Sequence, residues 1–287
     1  MMPQVEIFEM GPRDGLQNEK RMIPTADKIA LIDLLSQAGF RRIEATSFVS
    51  PKWVPQMGDA AQVMAGITRK AGVRYAALTP NLKGYQAAHA ARVSEVAIFA
   101  SASEGFSRAN LNASIAESLE RFRPVAAEAR TDGLPVRGYV SMVTDCPFDG
   151  ATPPDNVARV VAALRDMGCY EVSLGDTIGQ GRPETIDAML GAVLDEMPAD
   201  RLAGHYHDTG GRALENVDAS LARGLRVFDA AVGGLGGCPY APGAAGNVAT
   251  ETLAGFLSDC GFDHGLDMQA VERAATFART LREGTHA

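Results

Sequence analysis

Cysteine is scarce here. The four that occur, Cys146, Cys169, Cys238 and Cys260, are too widely and unevenly spaced for a disulfide framework or a zinc ribbon, so reduced thiols are expected. Positive charge is also in deficit: the formal net charge of -8 argues against the basic face that nucleic-acid binding needs. No uninterrupted apolar run reaches the length of a membrane span. The first ten residues carry Glu6 and Glu9 and lack the basic flank and apolar core of a secretory signal. No Pro/Ser-rich linker, charge run or low-complexity stretch divides the chain. What is present, 46% hydrophobic and 22% charged residues in 287, is enough apolar material for one large core. The expectation is a cytosolic protein, one domain over residues 1–287, with neither a nucleic-acid nor a membrane partner.

Short β-type runs alternate with amphipathic helical stretches along the whole sequence, the pattern of repeated βα units. Eight strands are expected: residues 5–10, 42–47, 74–78, 95–100, 136–143, 170–174, 202–207 and 227–232. Between them lie helical patterns over residues 25–37, 114–130, 154–167 and 183–194, the last two opening on Pro, whose missing N–H costs nothing in a first turn. Eight such units fit a closed (β/α)₈ TIM barrel with a short C-terminal helical extension. An open doubly wound sheet would also fit, but it should carry a glycine-rich phosphate turn after its first strand. That position reads GPRDGLQNE from Gly11, with charge where a phosphate loop needs bare backbone.

In such a barrel the chemistry sits on loops at the C-terminal ends of the strands. The segment GHYHDTGG, from Gly204, ends an apolar strand with two histidines one residue apart. Positions i and i+2 share a strand face, so His205 and His207 can present two imidazoles to one point while Tyr206 faces the helices, a geometry suited to a metal. Alternatively one histidine packs and the other bonds backbone. Arg13 and Asp14 follow the first strand, which in a barrel lies beside the eighth, so the carboxylate could reach the same ion or could merely lead a turn before Gly15. Glu44 and Asp176 put carboxylates at the inner ends of two more strands, either for chemistry or as structural partners for Arg13.

After the eighth strand comes VGGLGGCPYAPGAAGN, from Val232 to Asn247, with six glycines. It reads as a mobile lid delivering Cys238, although this cysteine could also be a small buried hydrophobe. A phosphate cradle fits less well, since the spacing and the lysine of a P-loop are missing. Asn247 either caps the following helix or adds a neutral oxygen ligand. Two imidazoles, a carboxylate and an amide leave open positions on a six-coordinate ion, as Lewis-acid catalysis needs; the histidines alone would suit zinc, iron or manganese, and the oxygen donors Mg2+ or Mn2+.

Taken together these stretches resemble the 3-hydroxy-3-methylglutaryl-CoA lyases, members of a metal-dependent barrel family that also includes isopropylmalate and homocitrate synthases. The motifs carrying the likeness are GPRDGLQNE at Gly11, IEATSFVSPKWVPQMGD at Ile43, LTPNLKGY at Leu78, GCYEVSLGDTIG at Gly168, HYHDTGG at His205 and GLGGCPYAPGAAGNVATE at Gly234. The resemblance implies cleavage of an acyl-CoA thioester to acetyl-CoA and acetoacetate, a step of leucine degradation, by a cytosolic homodimer. It implies binding of a metal, Mg2+ or Mn2+, by Asp14, His205, His207 and Asn247, enolate stabilisation by Arg13 and proton transfer by Cys238, with Glu44, Asp176, Glu9 and Glu251 as supporting acids.

The sequence departs from the family pattern at Met142 and Asp145, and near the C-terminus at Glu283 and Thr285, where polar and basic CoA contacts are expected. Lys20, Lys52 and Lys83 are candidates to supply cationic character on the same face. The nearest rival reading is a lyase for a larger 3-hydroxy-3-substituted glutaryl-CoA, differing only in the pocket wall. A Claisen-type synthase would carry further domains. A barrel metallohydrolase would place its His pair on the first strand, and a non-catalytic metal-binding scaffold would leave the thiol loop unexplained.

Overall fold

The computed structural model describes residues 2–238 and 241–283. Eight parallel strands close into a barrel: β1 (Glu6–Glu9), β2 (Arg42–Ser47), β3 (Arg74–Leu78), β4 (Glu95–Ser101), β5 (Val136–Ser141), β6 (Glu171–Asp176), β7 (Leu202–Tyr206) and β8 (Val227–Ala230). The seam is the β1–β8 pair, in register from Glu6 opposite Val227 to Glu9 opposite Ala230. The (β/α)₈ architecture expected from the alternation is the one observed. Among the described residues no helix is long and apolar enough to cross a membrane.

Outward strand residues such as Ile43, Ile98, Val140, Val172 and Leu174 are buried against the helical ring in one continuous apolar cluster. Helix α1 (Thr25–Gln37) is followed by Gly39 at φ +95°, and α6 (Pro154–Met167) ends on Gly168 at φ +97°, the left-handed stop that glycine takes without a Cβ penalty. The C-terminal helix α10 (Met268–Glu283) buries Val271, Ala274, Ala275 and Ala278 at helical spacing and packs on α1.

The barrel interior is charged. Arg42 and Arg137 are essentially inaccessible to solvent, and their guanidinium groups flank the Phe8 ring at 4.7 and 4.5 Å. Such charges persist in a dry interior only when fully paired. Arg42 donates to Glu6 (2.6 Å) and Glu171 (2.8 Å), and Arg137 to Glu171 (2.6 Å) and Asp229 (2.8 Å).

Several strand ends differ from the sequence expectation. β5 stops at Ser141 rather than residue 143 because Met142 takes φ +61° and its amide turns to Thr177 Oγ1 at 3.1 Å. Beyond it Asp145–Cys146 pairs antiparallel with Gly150–Ala151 in a small ribbon. β6 continues past residue 174 to Asp176, while β1 and β8 stop short at Glu9 and Ala230. In β2 the register shifts between Glu44 and Thr46, a bulge that lets both Glu44 and Ser47 face inward although they are three apart, while Thr46 meets Met57 outside.

Candidate active site

At the end of β1 the Met10 carbonyl accepts the amides of Arg13, Asp14 and Gly15 (3.2, 2.8 and 3.2 Å), winding residues Gly11–Gly15 into one π-helical turn. Glycine suits position 11, because an added Cβ would lie 2.6 Å from Glu9 Oε1, an oxygen held in place by the Gly11 and Val232 amides. The turn sets Arg13 and Asp14 side by side over the barrel mouth. Arg13 donates through Nη1 to Asp14 Oδ1 and through Nε to Glu44 Oε2, both at 2.5 Å. Tyr139 on β5 donates its hydroxyl to the other Glu44 oxygen at 3.2 Å and stacks under the Arg13 guanidinium, 5.6 Å from its ring.

His205 and His207 come off the end of β7 on the inner face, as the i, i+2 argument requires. Tyr206 points outward and bonds Ser220 on α8 (Ala213–Ala222) at 2.7 Å. Nε2 of each histidine lies 3.9 Å from Asp14 Oδ2, and donor atoms of the three residues all fall within 4.8 Å of one another. Nδ1 of His207 is buried and has no hydrogen-bond partner among the described residues. A converging carboxylate and two imidazoles, one with a ring nitrogen the protein leaves unsatisfied, fit a divalent cation.

The electrostatics agree with that donor set. Burial would raise the Asp14 carboxyl, but Arg13 first, then His205, His207 and Asn247, hold it well below the usual carboxylate range. Burial, reinforced by His205, pushes His207 down to about 4, which leaves a neutral imidazole near pH 7. Burial opposes charge on Arg13, yet Glu44 and then Asp14 hold the guanidinium above its ordinary value. Burial pushes the Glu44 carboxyl up, with Arg13 offsetting part of the shift.

Asn247 corrects one expectation. It does not cap a helix: α9 (Thr250–Asp259) begins three residues later, with Ala249 at its N-cap. Instead Asn247 forms an antiparallel bridge with His207, and its Nδ2 donates to Asp14 Oδ2 at 2.8 Å and to the Leu235 carbonyl at 3.4 Å. The approach needs Gly236, at φ +102°, where a Cβ would lie 2.8 Å from that nitrogen. The amide nitrogen, not the oxygen, thus faces the carboxylate, and acting as an oxygen ligand requires the amide to turn over.

Asp176 is not brought into this cluster. Both its oxygens are taken by the Gln180 and Gly181 amides and the Thr144 hydroxyl, which shape the β6 exit loop, and burial pushes its carboxyl up. Glu9 and Glu251 likewise hold backbone: Glu9 accepts from Gly11, Val232 and Thr250, and Glu251 from Gly233. Cys238 lies in the strand Gly237–Cys238, paired with Ala241–Ala245. Its thiol lies outside the described residues, as do the Glu283 side chain and Thr285.

A cavity of about 270 Å³ opens beside the cluster. Arg13, Asp14, His205, His207, Ser47 and Ser173 belong to its polar lining, and Val54, Leu78, Phe99, Phe106 and Leu111 to its apolar lining. Among the described residues lining it, Arg13 is the only Lys or Arg; Lys20, Lys52 and Lys83 are exposed and do not reach it. Sequence reasoning missed Tyr139, Ser173 and Asp229, although each is a polar residue at an inward position of an apolar strand, the same signal that singled out His205.

The sequence matches the family described as HMGL-like over residues 4–278. The chain belongs to the HMGL-like family. A Pseudomonas aeruginosa member, 3-hydroxy-3-isohexenylglutaryl-CoA/hydroxy-methylglutaryl-CoA lyase, is 56% identical over 93% of this chain and 89% of its own length. The crystal structure of the HMG-CoA lyase from Brucella melitensis superposes with a TM-score of 0.97 at 62% identity, covering 98% of this chain and 99% of that one. A third HMGL-like relative, an HMG-CoA lyase from Acinetobacter baumannii in complex with coenzyme A and 3-methylmalate, has a TM-score of 0.92 at 37% identity, covering 98% and 92%. The fold and family implied by the sequence motifs are therefore those of the molecule.

Proposed function

We propose that the chain is a divalent-metal-dependent carbon–carbon lyase that cleaves 3-hydroxy-3-methylglutaryl-CoA to acetyl-CoA and acetoacetate. The observation that carries this reading is the convergence of Asp14, His205 and His207 beside the Arg13 guanidinium at the mouth of a cavity. Together with the reoriented amide of Asn247 these residues would hold Mg2+ or Mn2+, and the ion would supply Lewis-acid polarisation of the substrate alcohol.

The residues of the chain do the rest. The proton of the tertiary hydroxyl passes to Asp14, or to His205 when its Nε2 is not ligating the ion. The O–H electrons form the ketone of acetoacetate as the C2–C3 bond breaks, and its pair moves onto the thioester oxygen. Arg13, locked by Glu44 and Asp14, faces that developing enolate with a permanent charge. Cys238 returns a proton to C2, completing acetyl-CoA. Glu44 and Asp176 act by holding Arg13 and the β6 exit loop, with Glu9 and Glu251 anchoring the turns on either side of the seam. We place this activity in a single barrel domain, in a cytosolic homodimer serving leucine degradation, with the acyl-CoA as its small-molecule partner.

Incubation of the pure protein with the thioester and either ion should yield acetoacetate, and a chelator should abolish it. No product with either ion would refute the substrate; chelator-resistant activity would refute the mechanism. A second reading, cleavage of thioesters with a larger 3-substituent, is favoured by the apolar wall that includes Leu78, Phe99 and Phe106 and by the isohexenyl substrate in the name of the P. aeruginosa relative. Comparative kcat/KM for methyl and isohexenyl substrates separates the two.

A further inference from the structure

We infer that Asp229, on β8, is a positioning residue for this reaction: it fixes the proton of His205 on Nδ1 and thereby aims a bare Nε2 at the ion site. The inference rests on the reading of His205 as a metal ligand. Asp229 is only 2% exposed, and its Oδ2 lies 3.2 Å from His205 Nδ1. The same carboxylate accepts two hydrogen bonds from Arg137 (2.8 and 3.0 Å) and one from the Ser173 hydroxyl (2.8 Å). Each of these groups donates, so the carboxylate is engaged throughout as an acceptor, and the imidazole nitrogen facing it must carry a hydrogen. The other ring nitrogen, 3.9 Å from Asp14 Oδ2, is then left with its lone pair toward the cluster.

The contrast with its neighbour sharpens the point. Among the described residues His207 Nδ1 meets no hydrogen-bond partner, so none of them selects its tautomer through that nitrogen. The pair therefore consists of one imidazole set by the protein and one free to adjust. Asp229 is itself immobilised. Arg137 is pinned on its other side by Glu171 and wedged against Phe8, so the carboxylate cannot swing away from the histidine. A carboxylate needed only to neutralise Arg137 would not have to present an oxygen to the ring.

Nitrogen-15 long-range correlation spectra of the metal-free protein at roughly pH 8.5, above the ordinary histidine range, read the tautomer directly. The His205→Ala spectrum identifies the resonance. The Nδ1–H form is expected, and the Nε2–H form would overturn the inference. In Asp229→Asn the amide can donate to Nδ1, so the proton should shift to Nε2 and the Mn2+ dissociation constant, read by EPR on the unreacted protein, should rise roughly 10- to 100-fold. An unshifted tautomer with unchanged Mn2+ affinity in that variant would equally refute it. If Asp229→Asn does not fold, the wild-type spectrum still decides. Failure of the wild-type protein to bind Mn2+ would instead sink the metal-ligand reading.

Discussion

Replacing Glu9 with Gln should make the protein more stable at alkaline pH while leaving it unchanged in acid. Glu9 is wholly buried at the end of β1. Burial raises its carboxyl from the ordinary 4.5 to about 7; the Thr250, Val232 and Gly11 hydrogen bonds offset part of this, and nearby Glu251 adds to it. Between about pH 4.5 and 7 the folded protein therefore keeps a proton that the unfolded chain has released. Folding stability falls as pH rises through that window. At about 1.4 kcal/mol per pH unit, a window of roughly 2.5 units amounts to about 3 kcal/mol. Glutamine reproduces the protonated form: its carbonyl oxygen accepts the Gly11 and Val232 amides, and its NH₂ donates to Thr250 Oγ1. The two proteins should unfold together in urea near pH 4 and diverge by up to about 3 kcal/mol near pH 8, with a chelator present so that metal linkage does not enter. A difference that stays constant across this range would refute a proton on Glu9.

Three further outcomes follow from the site. Arg13→Lys cannot bridge Glu44 and Asp14 as a fork does, so kcat should fall roughly 10²- to 10³-fold while Mn2+ affinity stays within a few-fold; an unchanged kcat would remove Arg13 from the chemistry. Cys238→Ser should slow turnover by roughly 10²- to 10⁴-fold with metal retained, and undiminished turnover would exclude the thiol as the essential acid. Gly11→Ala drives a methyl group to 2.6 Å from Glu9 Oε1 and should cost roughly 1–3 kcal/mol, visible as a lowered melting temperature; an unaltered melting temperature would mean that the turn is slack.

The barrel was legible in the sequence because its two periodicities are local. Apolar runs bounded by turn residues mark strands, and α1 and α6 occupy the ranges 25–37 and 154–167 that their helical patterns mark. Strand ends were less legible, since Met142 departs from the β conformation through a contact with Thr177, in the turn that follows β6, which no local pattern encodes. Within the site, the His205/His207 face followed directly from the two-residue period of a strand. Asn247 did not, because its environment is created by residues far away: an asparagine three positions before a helix looks like a cap until the His207 bridge and the Asp14 carboxylate are seen beside it. Asp229 and Arg137 escaped for the same reason, each being an isolated charge in an apolar strand until the barrel closes and pairs them.

The seam of the barrel also bears on how the molecule folds. Asp14 belongs to the first βα unit, and its hydrogen-bond partner Asn247 lies 233 residues later. His205 and His207 sit at the end of the penultimate strand, so every contact that Asp14 makes with the other donors spans the junction where β1 meets β8. No intermediate lacking that junction can assemble the cluster, however many of the other strands have paired. Closure of so long a loop belongs late on the folding pathway, because its entropic cost precedes any reward from the contacts it makes. Affinity for a divalent ion is therefore a reporter of completed ring closure, and an ion added during refolding would bias the final step rather than the first.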